Sequence, residues 1–158
     1  MANNISSNVN MIPISLENQN SGLLNLADCS AGAKIIFATD EFFAVADNMI
    51  QPTSPFFDEN LYDEYGKVMD GWESRRRRTE GHDWCIIQLA YKGTISAVEV
   101  DTAHFTGNHA PKLSLQGALL DSTHAFFNNR HRSASIKIKG TCATEEQVRM
   151  TDEQCCDW

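Results

Sequence analysis

Apolar residues occur along the chain in short runs separated by polar turns, a pattern typical of strands rather than long helices. Residues 34–38 and 84–90 are nearly continuous apolar runs, as expected of buried strands. Residues 94–100, 112–119 and 135–139 alternate apolar with polar positions, as half-buried strands do. These five strands predict an all-β fold, although a closed sandwich has about seven or more.

Helix and loop signals are fewer. Residues 39–41 (Thr-Asp-Glu) resemble a helix start and predict a short helical turn over residues 42–46. Residues 51–66 mix Pro, Asp, Asn and Gly with aromatic residues, which predicts a long surface loop. Residues 144–147 (Thr-Glu-Glu-Gln) have the capping-box pattern, so we expect a helix from 145 to about 156.

Composition and charge narrow the function classes. Residues 1–22, rich in Asn and Ser, predict a disordered polar leader, and residues 23–158 a domain. The 21 acidic against 13 basic residues, a net charge of −8, disfavour nucleic acid as a partner. The sequence has neither the roughly 20 consecutive apolar residues of a membrane span nor a secretory signal. An intracellular protein with no membrane or nucleic-acid partner is the prediction.

The cysteines point to a reducing compartment. They form an odd set with no C-x-x-C pair, which predicts neither a disulfide framework nor a zinc site: Cys29, Cys85, Cys142, Cys155 and Cys156. Cys85 lies in an apolar run, where a thiol is usually part of the core rather than a nucleophile.

Four consecutive arginines, Arg75, Arg76, Arg77 and Arg78, are the most unusual feature of the chain. They cannot all lie on one face of an element, so they sit in a turn or divide between a pocket and solvent. A planar guanidinium makes two parallel hydrogen bonds to a carboxylate, which indicates a small anionic ligand. The competing interpretation is a solvated run that pairs with nearby acids, namely Asp70, Glu73 and Glu80.

Two further groups carry acid–base chemistry. Asp101, His104 and His109 follow the third predicted strand on one loop, where three interpretations stay open: a structural loop, acid–base catalysis or a metal site. Their spacing matches no zinc signature, and we expect no metal. His82 stands beside Asp83, which either orients the imidazole or caps the turn.

Four stretches in register resemble the allantoicase family: TDEFFA at 39–44, MDGWESRRRR at 69–78, GHDWCIIQLA at 81–90 and VDTAHFTGNHAP at 100–111. The resemblance implies a jelly-roll β-sandwich related to galactose-binding domains, with the predicted C-terminal helix added. It implies hydrolysis of allantoate to ureidoglycolate and urea in purine (allantoin) catabolism, an amidinohydrolase reaction on C–N bonds without a cofactor. It also implies a homo-oligomer in the cytoplasm or the peroxisome.

The chain departs from the family pattern in one respect. The family carries two tandem repeats, whereas DGWE, HDW and DTAHF each occur once here. We therefore expect residues 23–158 to be the first repeat without its closing strands and without the second repeat.

The resemblance gives the candidate residues a chemical reason, because allantoate has one carboxylate and two ureido groups. The substrate-binding candidates are Arg75, Arg76, Arg77, Arg78, Trp72 and Asp70. For proton transfer we select His104 and His82, with Glu73 and Asp101 as the base or as groups that orient an imidazole. Two functions follow: allantoate hydrolysis, or a non-catalytic jelly-roll that binds a small anionic ligand.

Overall fold

The computed structural model of the chain describes residues 22–128 and 138–158, together with a two-residue strand at Ser7–Asn8. The rest of the predicted leader lies outside the described residues. No helix in the described part is long and apolar enough to cross a membrane. The elements are short, in the order β1 (Ser7–Asn8), β2 (Lys34–Ala38), β3 (Asp40–Glu41), β4 (Tyr62–Asp63), β5 (Gly66–Lys67), β6 (Cys85–Gln88), β7 (Ser114–Leu115), β8 (Thr141–Cys142) and α1 (Glu145–Cys155).

The antiparallel pair of β2 and β6 is the structural centre. Ile35 lies opposite Ile87 and Phe37 opposite Ile86, with a shift in register between Ile35 and Phe37. These are the two apolar runs that the sequence predicts as strands, and both predictions are confirmed, with β6 shorter than residues 84–90. β-Branched and aromatic residues favour such a half-buried pleated surface.

A small apolar core lies beside this pair. Trp72, Cys85 and Ile87 pack from outside against five buried residues: Ala33, Ile35, Ala38, Ala46 and Ile50. Cys85, which the sequence predicts as a core residue, is half-buried and packs against the core. Ala46 and Ile50 belong to a 3₁₀ helix, Ala46–Ile50, which closes one side of the core.

The prediction of a helix start at residues 39–41 is wrong. Asp40–Glu41 is a strand that pairs with β8, and the helical turn begins later, at Ala46. The side chain of Glu41 is 1% exposed, and its Oε1 accepts a hydrogen bond from the backbone N–H of Ala46 at 2.9 Å. Glu41 thus caps the start of the 3₁₀ helix, although it stands five residues earlier in the chain. The same hydrogen bond provides the donor that a buried carboxylate requires.

Two of the other predicted strands are largely missing. Residues 94–100 contain no strand and are exposed, and only Ser114–Leu115 of residues 112–119 forms one. A strand requires a neighbour to pair with, and alternation alone supplies none. Most of the predicted strand at 135–139 lies outside the described residues, whereas Ile138 and Lys139 form a bend and a turn.

The prediction that strands predominate in the fold is confirmed. The described residues contain four two-stranded sheets and one C-terminal helix, so strands dominate. The predicted long loop at 51–66 ends in a hairpin of β4 and β5, where Gly66 has φ +124°. The strand order of a jelly-roll sandwich stays a prediction.

Helix α1 follows its sequence signal closely. The N–H of Gln147 donates to Thr144 Oγ1 at 3.2 Å, and the N–H of Thr144 donates to Gln147 Oε1 at 2.8 Å. This reciprocal pair is the predicted capping box, and the helix ends at Cys155. A cap of this kind satisfies backbone N–H groups that the first turn leaves without partners.

Thr144→Ala is expected to lower the free energy of unfolding by about 1 kcal/mol, because an N-cap hydroxyl is lost. Urea denaturation followed by circular dichroism measures the change. Thr53→Ala is the control, since Thr53 is exposed and in the described part of the chain makes no side-chain hydrogen bond. Equal midpoints for Thr144→Ala and the unmodified chain would contradict the capping role.

Candidate active site

Asp40 holds Arg75 in a fixed position. Nε and a terminal nitrogen of Arg75 each lie 2.7 Å from Asp40 Oδ2, and the backbone N–H of Arg75 donates to Oδ1 at 3.2 Å. The guanidinium also lies 5.1 Å from the ring centroid of Phe42. The hydrogen bond to Asp40 raises the pKa of Arg75, so the guanidinium stays charged. Because Asp40 lies on β3 and Phe42 follows that strand directly, the position of β3 determines where this arginine lies.

Asp83 organises the second arginine. Its Oδ1 accepts from Thr39 Oγ1 at 3.0 Å and from a terminal nitrogen of Arg77 at 2.9 Å. Its Oδ2 accepts from Ser74 Oγ at 3.1 Å. Thr39 Oγ1 in turn accepts from the N–H of Trp84 at 3.1 Å, which ties the group to the start of β6. The sequence leaves two interpretations open for Asp83, orienting His82 or capping the turn. The partners that the structure shows for its side chain are instead Arg77 and the hydroxyls of Thr39 and Ser74.

The four arginines divide into two pairs. Arg75 and Arg77, two positions apart, reach Asp40 and Asp83. All four side chains are exposed, and Arg76 and Arg78 form no ion pair with any residue that the structure describes. Alternation along a non-helical backbone accounts for this division, since successive side chains point to opposite sides.

A cavity of about 440 Å³, more open to solvent than enclosed, lies between the arginine segment (residues 75–78) and α1. Carboxylates and guanidinium groups both line it, so it can accept and donate hydrogen bonds. Its lining consists of Thr39, Asp40, Arg75, Arg77 and Asp83 on one side, and Cys142, Ala143, Glu145, Val148, Arg149 and Asp152 on the other. A cavity of this size is in the range that holds a small metabolite.

Glu73 lies next to this segment but outside the cavity lining. It forms a bridge with Ala44, in which the N–H of Ala44 donates to Glu73 O at 3.0 Å. Burial raises the pKa of the Glu73 carboxyl, and the positive charge of Lys139 opposes this shift. A carboxyl with a raised pKa retains its proton to higher pH, which suits a proton donor.

Trp72 and Asp70 have structural partners. The indole N–H of Trp72 donates to the backbone oxygen of Asp40 at 2.7 Å, and the ring packs on the core. Asp70 accepts from the N–H of Phe56 in the long loop. Both side chains are partly buried, and neither lines the cavity.

The loop at residues 101–109 contacts the chain just before the arginine segment, at Gly71, through Phe105. A Cβ on Gly71 would lie 2.7 Å from the Phe105 ring, so this contact requires glycine. Asp101 accepts from the N–H of Ala103 at 2.7 Å. His104 has φ 68° and stacks on Phe57, with ring centroids 5.5 Å apart.

The structure therefore separates the predicted site residues. It brings Arg75 and Arg77 into one cavity, whereas His82, His104 and Asp101 are exposed side chains outside its lining. Within the described part of the chain no three His, Cys, Asp or Glu side chains are grouped to hold a metal ion. His109 Nδ1 lies 3.0 Å from the backbone oxygen of Phe105.

A family model described as Allantoicase repeat matches residues 24–158. The chain belongs to the allantoicase repeat family. Three of the four stretches that carry the resemblance, at 39–44, 69–78 and 81–90, meet around Asp40 and Asp83. The fourth stretch, at 100–111, contacts the stretch at 69–78, where Phe105 lies against Gly71.

Curated bacterial proteins named as probable allantoicases are similar to part of this allantoicase repeat. One from Burkholderia mallei is 48% identical over 99 residues, which is 63% of this chain and 30% of the relative. One from Acinetobacter baylyi is 50% identical over 95 residues, 60% of this chain and 28% of the relative. One from Ralstonia nicotianae is 52% identical over 96 residues, which is 61% of this chain and 29% of the relative. The matched stretch thus spans under a third of each relative.

A solved structure titled "Structure of allantoicase" is 34% identical over the part compared. The comparison covers 42% of this chain and 18% of the other, with a TM-score of 0.35.

Sequence reasoning missed the partners of the arginines in this allantoicase repeat. The sequence pattern places Asp40 in a helix start, and it predicts a helix over residues 145 to about 156 without indicating any role for that helix in the site. The one available signal was the acid in TDEFFA, which stands among the stretches that carry the resemblance. No sequence pattern predicts that α1 lies next to the arginine segment, because the two are far apart along the chain.

Proposed function

We propose that this allantoicase repeat binds allantoate in the cavity between the arginine segment and α1, and that it serves hydrolysis of allantoate to ureidoglycolate and urea in purine catabolism. One observation carries the proposal: guanidinium and carboxylate groups from the resembling stretches line one cavity of about 440 Å³. Membership of the family supports the reaction class, an amidinohydrolase acting on C–N bonds.

The lining matches the functional groups of allantoate. The ligand carboxylate requires N–H donors, and Arg77 has several left because one of its nitrogens bonds Asp83. The ureido groups require acceptors, and Glu145 and Asp152 accept no hydrogen bond from another described residue. We assign carboxylate binding to Arg77, with Arg75 beside it, and assign Arg76 and Arg78 no direct contact.

Release of urea requires a proton at the leaving nitrogen and a base that prepares water, each worth roughly 10²–10⁴-fold in rate. Glu73, which lies next to the arginine segment but outside the cavity lining, is the proposed proton donor, since burial raises its pKa. His82, His104 and Asp101 remain proposed acid–base groups, and they serve only if they approach a ligand from outside the cavity lining. Trp72 and Asp70 are proposed to position the arginine segment.

A second proposed function is binding of a small anion without turnover, and a separate observation supports it. The two histidines proposed for proton transfer do not line the cavity that contains the arginines. A site that holds a substrate without an acid and a base in reach does not accelerate the reaction.

One experiment distinguishes the two functions. The purified chain is incubated with allantoate, urea is quantified, and thermal unfolding is recorded with and without the ligand. Urea release supports hydrolysis. Stabilisation by allantoate without urea supports binding alone. If the chain releases no urea and allantoate does not stabilise it, allantoate is excluded as the ligand of this cavity.

Arg77→Lys is expected to weaken allantoate binding by about tenfold or more, because lysine keeps the charge but loses the two-pronged geometry. Calorimetric titration with allantoate measures the dissociation constant. Arg78→Lys is the matched control, one position away and outside the cavity. Equal losses in the two variants would contradict the assignment of Arg77 to the site.

A further inference from the structure

One face of α1 lines the cavity opposite the arginine segment. The α1 residues of the lining are spaced as neighbours on a single helical face, at positions i, i+3, i+4 and i+7: Glu145, Val148, Arg149 and Asp152. The capping box fixes the first turn of the helix, so this face has a defined orientation. The polar residues of the face therefore present an acceptor, a donor and an acceptor in order along the cavity wall.

These polar groups have hydrogen-bonding capacity left for a ligand. One terminal nitrogen of Arg149 lies 2.6 Å from Glu153 Oε1, and Glu153 is not part of the cavity lining. A guanidinium carries several N–H donors, and this ion pair uses only one of its nitrogens. Among the described residues, none forms an ion pair with Glu145 or Asp152. Both the donor and the acceptors of the face are thus available on the cavity side of α1.

The charge of the lining disfavours a strongly anionic ligand. Four carboxylates and three guanidinium groups line the cavity, an excess of one negative charge: Asp40, Asp83, Glu145 and Asp152 against Arg75, Arg77 and Arg149. On the wall formed by the arginine segment, Asp40 and Asp83 each pair with an arginine of the same wall. A phosphate or a dicarboxylate would extend its second negative charge towards the acids of α1, which costs free energy. A ligand with one carboxylate and neutral N–H groups avoids this repulsion.

A ureido group carries one carbonyl acceptor and N–H donors on both of its nitrogens, which complements the polar groups of α1. We propose that α1 is the wall that recognises a ureido group, with Arg149 as a specificity-determining residue that donates to the ureido carbonyl oxygen while Glu145 and Asp152 accept from the ureido N–H groups. The ligand class is a ureido monocarboxylic acid rather than a phosphate or a dicarboxylate. This inference rests on the proposed function, which places such a ligand in the cavity, and it adds the selection against other ligand chemistry.

Two ligands of nearly equal shape test the recognition of the N–H groups. The first, N-carbamoylglycine, has a carboxylate and a ureido group, and the second, N-acetylglycine, has a methyl group in place of the terminal amino group. The unmodified chain is expected to bind N-carbamoylglycine about tenfold more tightly, because a site built to accept from N–H groups rejects a ligand that lacks them. NMR titration of the isotope-labelled chain measures both dissociation constants. Equal constants would overturn the proposal.

Variants of α1 assign this preference to its acids. Replacing both Glu145 and Asp152 by alanine should remove most of the preference for N-carbamoylglycine, because no carboxylate of α1 then accepts from the ureido group. Glu146→Ala is the matched control, since Glu146 is exposed on the same helix and lies outside the lining. A preference that survives the double substitution, or that Glu146→Ala removes equally, would refute the assignment.

Arg149→Met tests the donor. It should weaken the binding of N-carbamoylglycine and N-acetylglycine by roughly fivefold each, because both ligands lose one hydrogen bond to their carbonyl oxygen. Acetate should bind the variant as it binds the unmodified chain, since acetate offers a carboxylate to Arg77 but no ureido or amide carbonyl. An equal loss for acetate would show that Arg149 acts on the carboxylate or on the fold instead.

Inorganic phosphate and allantoate complete the test. Phosphate is expected not to displace N-carbamoylglycine at equal concentration, and displacement would contradict the selection by charge. If allantoate binds but the chain does not distinguish N-carbamoylglycine from N-acetylglycine, this inference fails and the proposed function stands. If the chain prefers N-carbamoylglycine but neither binds nor hydrolyses allantoate, the proposed function fails and the recognition by α1 stands. A chain that binds neither ureido ligand refutes both.

Discussion

Replacing Phe37 by alanine is expected to lower the free energy of unfolding by about 3–5 kcal/mol, the largest effect of any single substitution considered. Phe37 is 1% exposed. Its ring lies 4.7 Å from the ring of Trp84, centroid to centroid, with a tilt of 38°. Alanine would remove this contact and leave a cavity next to β2 and β6, which together form the centre of the fold.

A loss of this size threatens folding itself, because small domains are stable by only about 5–15 kcal/mol. Urea denaturation of Phe37→Ala, followed by tryptophan fluorescence, measures the change through Trp84. Phe56→Ala is the control, as Phe56 is 61% exposed in the long loop. A change below about 1 kcal/mol for Phe37→Ala would show that this strand pair does not control stability.

Asp83→Ala is expected to produce the second-largest effect, a loss of about 2–4 kcal/mol in unfolding free energy together with weaker allantoate binding. Asp83 accepts hydrogen bonds from Thr39, Ser74 and Arg77. Its removal leaves two partly buried hydroxyls without an acceptor and releases the guanidinium of Arg77. The stability loss comes mainly from the hydroxyls, because Arg77 is more than one-third exposed and solvent screens its charge.

The affinity loss should be at least as large as that of Arg77→Lys, because an unheld guanidinium must be ordered again when the ligand binds. Denaturation and calorimetric titration of the same preparation separate the two effects. Asp152→Ala is the matched control for stability: it removes an acid from the same cavity whose carboxylate bonds no other described residue. An Asp83→Ala chain as stable as Asp152→Ala would contradict the role of Asp83.

Two of the four consecutive arginines of this acidic chain line the cavity. Arg75 and Arg77 are held by Asp40 and Asp83, and both carboxylates come from other resembling stretches. The ion pairs fix two guanidinium groups at the wall of a cavity, while the alternate arginines face solvent. Arg76 and Arg78 pair with no described acid, whereas Arg75 and Arg77, although 48% and 37% exposed, line the cavity beside Asp40 and Asp83.

The sequence by itself determined the elements whose stabilising contacts are local or apolar. Helix α1 begins at the predicted capping box, because all its capping groups lie within four residues. β2 and β6 are apolar runs whose side chains leave water, wholly or in part, where the two strands pair, and Cys85 packs half-buried against the core beside them. Family membership was also readable, since it depends on residue identity at fixed positions and not on geometry.

Only the tertiary structure decided the features that depend on distant partners. Residues 39–41 have a local helix signal, but Glu41 caps a later turn and β3 pairs with β8, about 100 residues away along the chain. Residues 94–100 alternate like a strand, yet a strand exists only where another chain segment offers its backbone groups. The division of the arginines and the approach of α1 to them follow from ion pairs and packing over long sequence separations, which periodicity does not record.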